Sequence, residues 1–224
     1  MLRPILAILF LLLAAQGSQA GGHFDVDDAG TLDPGQCQYE VWGGRFGTDP
    51  SVNVLHFGPA CGVGPVEIGL NFERDASSGS AAYLAGPQLK WNFFGREPDA
   101  RLSAAVYVAA AADTSHGGRI GGQFALPVSW NPVEPLWINL NLGYDWAPVT
   151  GERSGRGGLQ ANWAFNDKVS LIVERLRTFG VWGSRAGLRF SLTPLVSIDT
   201  SAVRSGPAGT WGFVVGLNRE FKGF

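Results

Sequence analysis

Few residues of this chain could perform catalysis. Of its three histidines, only His116 has hydroxyl-bearing neighbours, in Thr114-Ser115-His116. A hydrolase needs its nucleophile and base held in a fixed geometry, which adjacent residues of a loop rarely provide. We therefore predict that the protein is not an enzyme, and a hydrolase that uses His116 is the third of the functions considered below.

An acidic segment near the N-terminus resembles a metal-binding loop only in part. Asp25, Asp27 and Asp28 begin like a calcium loop, but its fifth position is Ala29 and its twelfth is Gln36, where such a loop has an oxygen ligand and a glutamate. No spacing of cysteine and histidine fits zinc. The sequence thus predicts no metal site and no cofactor.

Most other polar side chains alternate with apolar ones. From Leu136 to Trp146 the even positions are apolar or aromatic, and most odd positions are Asn, Asp or Gly. This period of two predicts β-strands with one apolar face. Similar segments predict about twelve strands in all. They begin near Gln36, Val52, Val66, Gln88, Leu102, Gly118, Leu136, Gly157, Val169, Ser184, Val196 and Gly209.

The number of strands indicates whether the apolar face of the barrel contacts lipid or lines the interior. A barrel of about twelve strands with its apolar face inward would enclose an apolar void, because side chains fill only barrels of about eight strands. We therefore predict an all-β, transmembrane, up-and-down antiparallel barrel with lipid outside and polar groups inside. Its periplasmic turns are expected to be short and its outer loops longer. A soluble sandwich of two sheets would also bury both apolar faces and stays open as an alternative.

Composition agrees with an exported β-protein. Charged residues are only 16% of the chain and the formal net charge is −2, so no basic surface for nucleic acid is expected. A mean hydropathy of +0.06 excludes a helical membrane bundle. Arg3, an apolar run and Ser18-Gln19-Ala20 are typical of a secretory signal peptide.

These features divide the chain into three parts. Residues 1–20 are predicted to be a cleaved signal peptide, residues 21–35 a solvated periplasmic lead-in, and residues 36–224 the barrel. Cys37 opens the first predicted strand and Cys61 closes the second, so a hairpin in an oxidising compartment favours a disulfide between them.

Polar residues of one parity are predicted to line the lumen. Because both signs of charge are present, pairs across the lumen are expected, such as Lys90 or Arg189 with an acid. Each residue could hold the barrel together or line a permeation path, and both roles stay open. The predicted lumen-lining residues are Glu40, Glu67, Asn71, Lys90, Asn92, Asn141, Glu174, Arg189 and Asp199.

Aromatic residues near strand ends are expected to form girdles at the two membrane interfaces. Phe179 and Trp182 are expected in an outer loop, as contacts for a solute or as interfacial anchors. The girdle residues would include Trp91, Phe93, Tyr144, Trp146, Trp163 and Phe165.

Several segments resemble a known family. They are Phe24–Leu32, Gly86–Trp91, Leu171–Glu174 and Gly187–Pro194, and together they resemble the transporter-like outer-membrane barrel family linked to the meta-pathway of phenol degradation. The resemblance implies an outer-membrane barrel that passes apolar or aromatic compounds. The chain departs from the family by continuing past Phe221 and by its two cysteines.

The sequence as a whole predicts a protein of the bacterial outer membrane that allows passive passage of small, apolar or aromatic solutes. The alternative is a non-conducting barrel with a structural or surface-binding role. The expected partners are the lipid bilayer, the barrel insertion machinery and small apolar solutes, without nucleic acid.

Overall fold

The computed structural model describes residues 23–48, 50–77, 79–97, 99–115, 117, 120–148 and 150–223. In this part of the chain twelve antiparallel strands close into one barrel, in which each strand pairs with its neighbours in sequence and β12 pairs with β1. The predicted all-β, up-and-down barrel is confirmed. The strands are β1 (Gln36–Phe46), β2 (Val52–Val63), β3 (Val66–Ser77), β4 (Ser80–Phe94), β5 (Leu102–Asp113), β6 (Ile120–Val133), β7 (Leu136–Trp146), β8 (Arg153–Asn166), β9 (Val169–Thr178), β10 (Val181–Thr193), β11 (Val196–Ser205) and β12 (Thr210–Lys222).

Three strands begin earlier than the sequence predicted. The largest difference is in β4, which begins at Ser80 and not near Gln88. Its first half is rich in Ala, Gly and Pro, which are depleted in strands. Pairing with β3 nevertheless continues without interruption from Ser77 opposite Ser80 to Val66 opposite Trp91, so the neighbouring strand overrides the local propensity. Trp182 likewise lies on β10 and not in the loop where it was expected.

The connections define two rims. The short-turn rim carries the connections β2–β3, β4–β5, β6–β7, β8–β9 and β10–β11, and the loop rim carries the connections β1–β2, β3–β4, β5–β6, β7–β8, β9–β10 and β11–β12. The difference in length is smaller than the sequence predicted. At the loop rim, β3 and β4 are only two residues apart in sequence, as are β9 and β10, whereas the β4–β5 connection is the longest at the short-turn rim, where short turns were expected.

The two faces of the barrel differ in the way that a lipid environment requires. On β7, Leu140 and Leu142 point outward and are 40% and 57% exposed, whereas Asn139, Asn141 and Asp145 point inward and are at most 4% exposed. The same alternation puts five of the six predicted girdle aromatics on the outer surface as exposed side chains, with Trp146 half-buried. An apolar outer surface around a polar interior is solvated by acyl chains, and the closed barrel excludes the sandwich of two sheets. Among the described residues, no helix is long and apolar enough to span a membrane.

The predicted disulfide is present. Cys37 and Cys61 lie directly opposite each other on β1 and β2, with their Cα atoms 4.0 Å apart. Both belong to the outward-facing parity near the short-turn rim, where the bond closes the first hairpin across a sequence separation of 24 residues.

Replacing both cysteines by serine is expected to lower the free energy of unfolding by about 3 kcal/mol, since the cross-link restricts a loop of this length in the unfolded chain. Urea unfolding of the protein in lipid vesicles would measure the change. Reduced wild type should unfold like the double variant, and a difference below about 1 kcal/mol between oxidised and reduced protein would contradict the expectation.

Candidate functional site

The chain that precedes β1 lies inside the barrel. We call residues 23–32 the luminal segment. The segment leads into β1 at the short-turn rim, where the Gly35 N–H donates to the carbonyl of Gly62. Val26, Ala29 and Leu32 are 3%, 0% and 1% exposed although they belong to no strand. The solvated lead-in expected from the sequence is therefore wrong for these residues.

Wall side chains accept hydrogen bonds from the backbone of the luminal segment. The Glu174 carboxylate on β9 receives two of them, from the N–H groups of Asp25 and Val26, each at 3.1 Å. Buried backbone donors need such partners, and the wall supplies them at successive positions along the segment. The other acceptors are Asn141 for Asp27 at 2.9 Å, Ser129 for Ala29 at 2.8 Å and Glu67 for Leu32 at 3.1 Å.

Other wall side chains donate to the carbonyl groups of the segment. Asn141 Nδ2 donates to the Asp27 carbonyl at 2.7 Å, so this one amide binds both the N–H and the C=O of the same residue. The wall thus fixes the backbone of the segment. Further donors are Asn92 to Ala29 at 2.8 Å, Gln160 to Val26 at 3.0 Å and Arg156 to Asp25 at 3.0 Å.

Ion pairs also join the segment to the wall. Lys90 Nζ lies 3.4 Å from Asp28 Oδ1 and 3.8 Å from Asp27 Oδ1. Arg185 Nη2 lies 2.6 Å from Asp25 Oδ2, and its Nε lies 3.5 Å from Glu174 Oε1. The acids that resembled part of a calcium loop are therefore partners of wall cations. Among the described residues, no group of three or more His, Cys, Asp or Glu could hold a metal ion.

His23 ends the described part of the segment. Its Nε2 lies 2.6 Å from Ser201 Oγ on β11, and its ring stacks on Phe24 with centroids 4.6 Å apart. Burial, assisted by the nearby guanidinium of Arg185, lowers the pKa of His23 to about 4. The ring is therefore neutral at neutral pH.

The structure places all nine predicted lumen-lining residues on the inner face. Glu67, Lys90, Asn92, Asn141 and Glu174 contact the luminal segment. Of the other four, Arg189 and Asp199 pair with each other, Asn71 donates to Gln88, and Glu40 is half-buried on β1.

The ion pairs that were predicted to cross the lumen instead join neighbouring strands or bind the luminal segment. Arg189 Nε and Nη2 both donate to the Asp199 carboxylate at 2.8 Å. These residues are opposite each other on the adjacent strands β10 and β11, so the pair lies along the wall. Lys90 pairs with the segment. Periodicity identified the face of each residue, but it could not identify partners supplied by a segment outside the strands.

The segment fills space that the wall cannot fill. Twelve strands enclose a lumen wider than wall side chains can occupy, yet Glu174, Asp145 and Asp199 on the wall are 2%, 0% and 0% exposed. Bulk water does not reach these groups, so the barrel interior around the segment is closed in this structure.

Replacing Glu174 by glutamine is expected to loosen the segment, because an NH₂ group takes the place of one acceptor oxygen and the charge that faces Arg185 is lost. Hydrogen bonds to charged groups contribute about 1.5–3 kcal/mol, so local opening should increase by about 10- to 100-fold. The measurement is the rate at which an Ala29→Cys thiol, in a background with Cys37 and Cys61 replaced by serine, reacts with a water-soluble maleimide.

The matched control for this change is Glu73→Gln. Glu73 lies on the inner face of β3, with its carboxylate 3.8 Å from His56 Nδ1, and no described hydrogen bond or ion pair joins it to the segment. Equal labelling rates in the two variants would contradict a specific role for Glu174.

Only part of the Thr114-Ser115-His116 cluster considered for catalysis lies among the described residues. His116 lies outside the described residues. Its neighbour Ser115 donates its hydroxyl to Asp113 Oδ1 at 2.6 Å, and Thr114 donates to the Tyr83 carbonyl at 3.1 Å. His56 stacks on Trp42 with centroids 4.9 Å apart.

Comparisons with known proteins support the barrel fold. A family model described as "Uncharacterised conserved protein UCP029691" matches residues 8–207, and no curated protein matches. KdgM porin in complex with disordered oligogalacturonate has a TM-score of 0.61 at 11% identity, over 83% of this chain and 99% of that chain. NanC porin has a TM-score of 0.57 at 13% identity, over 81% and 98%. An active-site mutant of Escherichia coli outer membrane phospholipase A has a TM-score of 0.52 at 11% identity, over 91% and 94%.

These identities show the shared fold alone. None of the matches bears on the link to phenol degradation, which stays a prediction.

Proposed function

The chain belongs to the family described as Uncharacterised conserved protein UCP029691, and from this premise we propose that it is an outer-membrane channel for the passive passage of small solutes, closed in the described state by its luminal segment. One observation carries the proposal. The inner wall is polar and charged, but what fills it is a short, irregular piece of the same chain held through hydrogen bonds and ion pairs.

A permanently filled barrel has no need of such a wall. Replacing buried ion pairs by well-packed apolar residues is often neutral or stabilising, so an apolar interior would serve a purely structural barrel equally well. The groups of a polar wall can be hydrated when the segment leaves and water enters the lumen. The wall therefore suits both a closed and an open state.

Three features support a location in the outer membrane. The outer surface is apolar, the fold is similar to that of KdgM and NanC porins, and residues 1–20 are predicted to be an export signal, although they lie outside the described residues. Because β1 begins and β12 ends at the short-turn rim, we place this rim in the periplasm. Assembly would require the barrel insertion machinery.

We propose small aromatic compounds, and above all aromatic carboxylates, as the solutes. When the segment leaves, Lys90 loses Asp27 and Asp28, and Arg185 loses Asp25. A carboxylate can replace these acids at the exposed cations. KdgM porin has been solved in complex with an oligogalacturonate, which is also a carboxylate, and this agrees with the proposed chemistry.

The test is to lock the segment in place. Ala29 N and Ser129 Oγ are 2.8 Å apart, so cysteines at these two positions, in a background without Cys37 and Cys61, should form a disulfide. Planar bilayers should show brief openings of the reduced protein and none of the oxidised protein. Channel openings that persist in the oxidised protein would contradict a gate formed by the segment.

The second candidate function is a non-conducting structural barrel, favoured by the complete burial of Ala29. It predicts no openings in either redox state. It also predicts no swelling of liposomes in benzoate, a probe of the proposed solute class.

A further inference from the structure

Outward-facing charge is distributed unevenly over the barrel. Six arginines point to the outside near the strand ends at the loop rim, and we call them the arginine arc. Five of the six are exposed and one, Arg177, is half-buried. Apart from Arg219 nearer the other rim, the described strands carry no other outward charge. The arc consists of Arg45 on β1, Arg74 on β3, Arg153 on β8, Arg175 and Arg177 on β9, and Arg204 on β11.

The acidic residues do not share this face. Every Asp and Glu in the described strands belongs to the inward parity, namely Glu40, Glu67, Glu73, Asp75, Asp113, Asp145, Glu174, Asp199 and Glu220. The arginines of the arc thus have no strand carboxylate on their own face. Anions from the surroundings would therefore reduce the repulsion among these like charges.

Aromatic rings orient several of these arginines. The Arg175 guanidinium lies 5.1 Å from the ring centroid of Trp182, and that of Arg204 lies 5.9 Å from the ring of Trp211. Contact with a ring engages the flat face of a guanidinium and leaves N–H groups at its edge for a further acceptor.

The depth of the arc follows from energetics. A lipid-facing arginine costs about 2–4 kcal/mol at the bilayer midplane but about 0–1 kcal/mol near the interface. The arc therefore lies at the level of the lipid headgroups. Its arginines lie on β8, β9, β11, β1 and β3, whereas the described outward positions of β4 to β7 carry no charge.

We propose that the arginine arc binds the phosphate groups of lipopolysaccharide, the phosphorylated glycolipid of the outer leaflet. Guanidinium groups bind phosphate through paired, charge-assisted hydrogen bonds, and a series of them on β8, β9, β11, β1 and β3 matches a lipid that carries more than one phosphate. The inference rests on the proposed outer-membrane location but does not depend on channel activity. It directs the loop rim to the cell exterior, in agreement with the start of β1 and the end of β12 at the other rim.

The test compares lipids that differ in phosphate. Refolded full-length protein in detergent is titrated with lipid A, with dephosphorylated lipid A and with phosphatidylglycerol, and binding is followed by native mass spectrometry. Wild type should bind lipid A at least about tenfold more tightly than either other lipid, and Arg153→Gln/Arg175→Gln/Arg204→Gln should lose that preference. Channel openings should be unchanged in this variant, so the proposals of lipid binding and of channel activity are tested independently.

The control is Arg219→Gln, which removes the outward arginine nearer the short-turn rim. Three results would each overturn the assignment: full lipid A binding by the triple variant, an equal loss in the control, or equal affinity of wild type for phosphatidylglycerol and lipid A. A gel-mobility assay of the folded barrel accompanies each measurement. If the triple variant does not fold, Arg204→Gln alone should weaken lipid A binding by about fivefold or more, and unchanged affinity would overturn the assignment.

Discussion

Deletion of residues 23–32 is expected to convert a closed barrel into a conducting one. The segment fills the interior, and Glu67, Lys90, Asn92, Asn141 and Glu174 on the wall become hydrated without it. Mean conductance in planar bilayers should exceed that of wild type by at least about tenfold, as expected when water and ions enter a polar pore. Liposomes containing the variant should also swell in benzoate.

The open variant should pass anions more readily than the same deletion without the luminal cations Lys90 and Arg185. Lys90 loses two carboxylate partners and Arg185 loses one when the segment is absent. The reversal potential in a potassium chloride gradient would measure the difference. Adding Lys90→Met and Arg185→Met to the deletion should shift the reversal potential toward greater cation permeability, while adding Arg175→Met on the outer face should leave it unchanged.

Two further results would show whether the luminal segment blocks a channel or only supports the barrel. A synthetic peptide of residues 23–32 should reduce the conductance of the deletion variant, since the wall binds mainly the peptide backbone. A folded deletion variant that neither conducts nor passes solute would contradict the channel proposal and favour the non-conducting barrel.

The sequence predicted the strands well because their signal is local. The alternation in β7 is visible in eleven consecutive residues, and the face of Asn141 or Glu174 follows from parity alone. The start of β4 was missed because its first half has little strand propensity, and only pairing with β3 reveals it.

The luminal segment could not be predicted in the same way. Asp25, Asp27 and Asp28 have the composition of a solvated leader, and their partners Lys90 and Arg185 are more than sixty residues away in sequence. The one available signal was the mismatch between a twelve-stranded lumen and the volume of its own side chains. That mismatch indicates that something enters the barrel, but it does not identify what.

Replacing Asp199 by alanine is expected to cause the largest loss of stability among single substitutions in the wall. Asp199 is fully buried and accepts two hydrogen bonds from Arg189 at 2.8 Å and one from Asn218 at 2.9 Å. Removing one member of a buried pair leaves an uncompensated charge and costs about 3–5 kcal/mol. Urea unfolding in vesicles, followed by tryptophan fluorescence, would measure the change.

The double variant Arg189→Met/Asp199→Leu separates the contribution of the ion pair to stability from the cost of burying one of its charges without the other. It should lose less stability than Asp199→Ala alone, because it removes the guanidinium together with its carboxylate partner. Asp167→Asn, in the exposed turn between β8 and β9, is the control and should change stability by less than about 0.5 kcal/mol. If the losses measured for Arg189→Met and Asp199→Leu separately simply add in the double variant, the two residues do not interact energetically, which would contradict a stabilising pair.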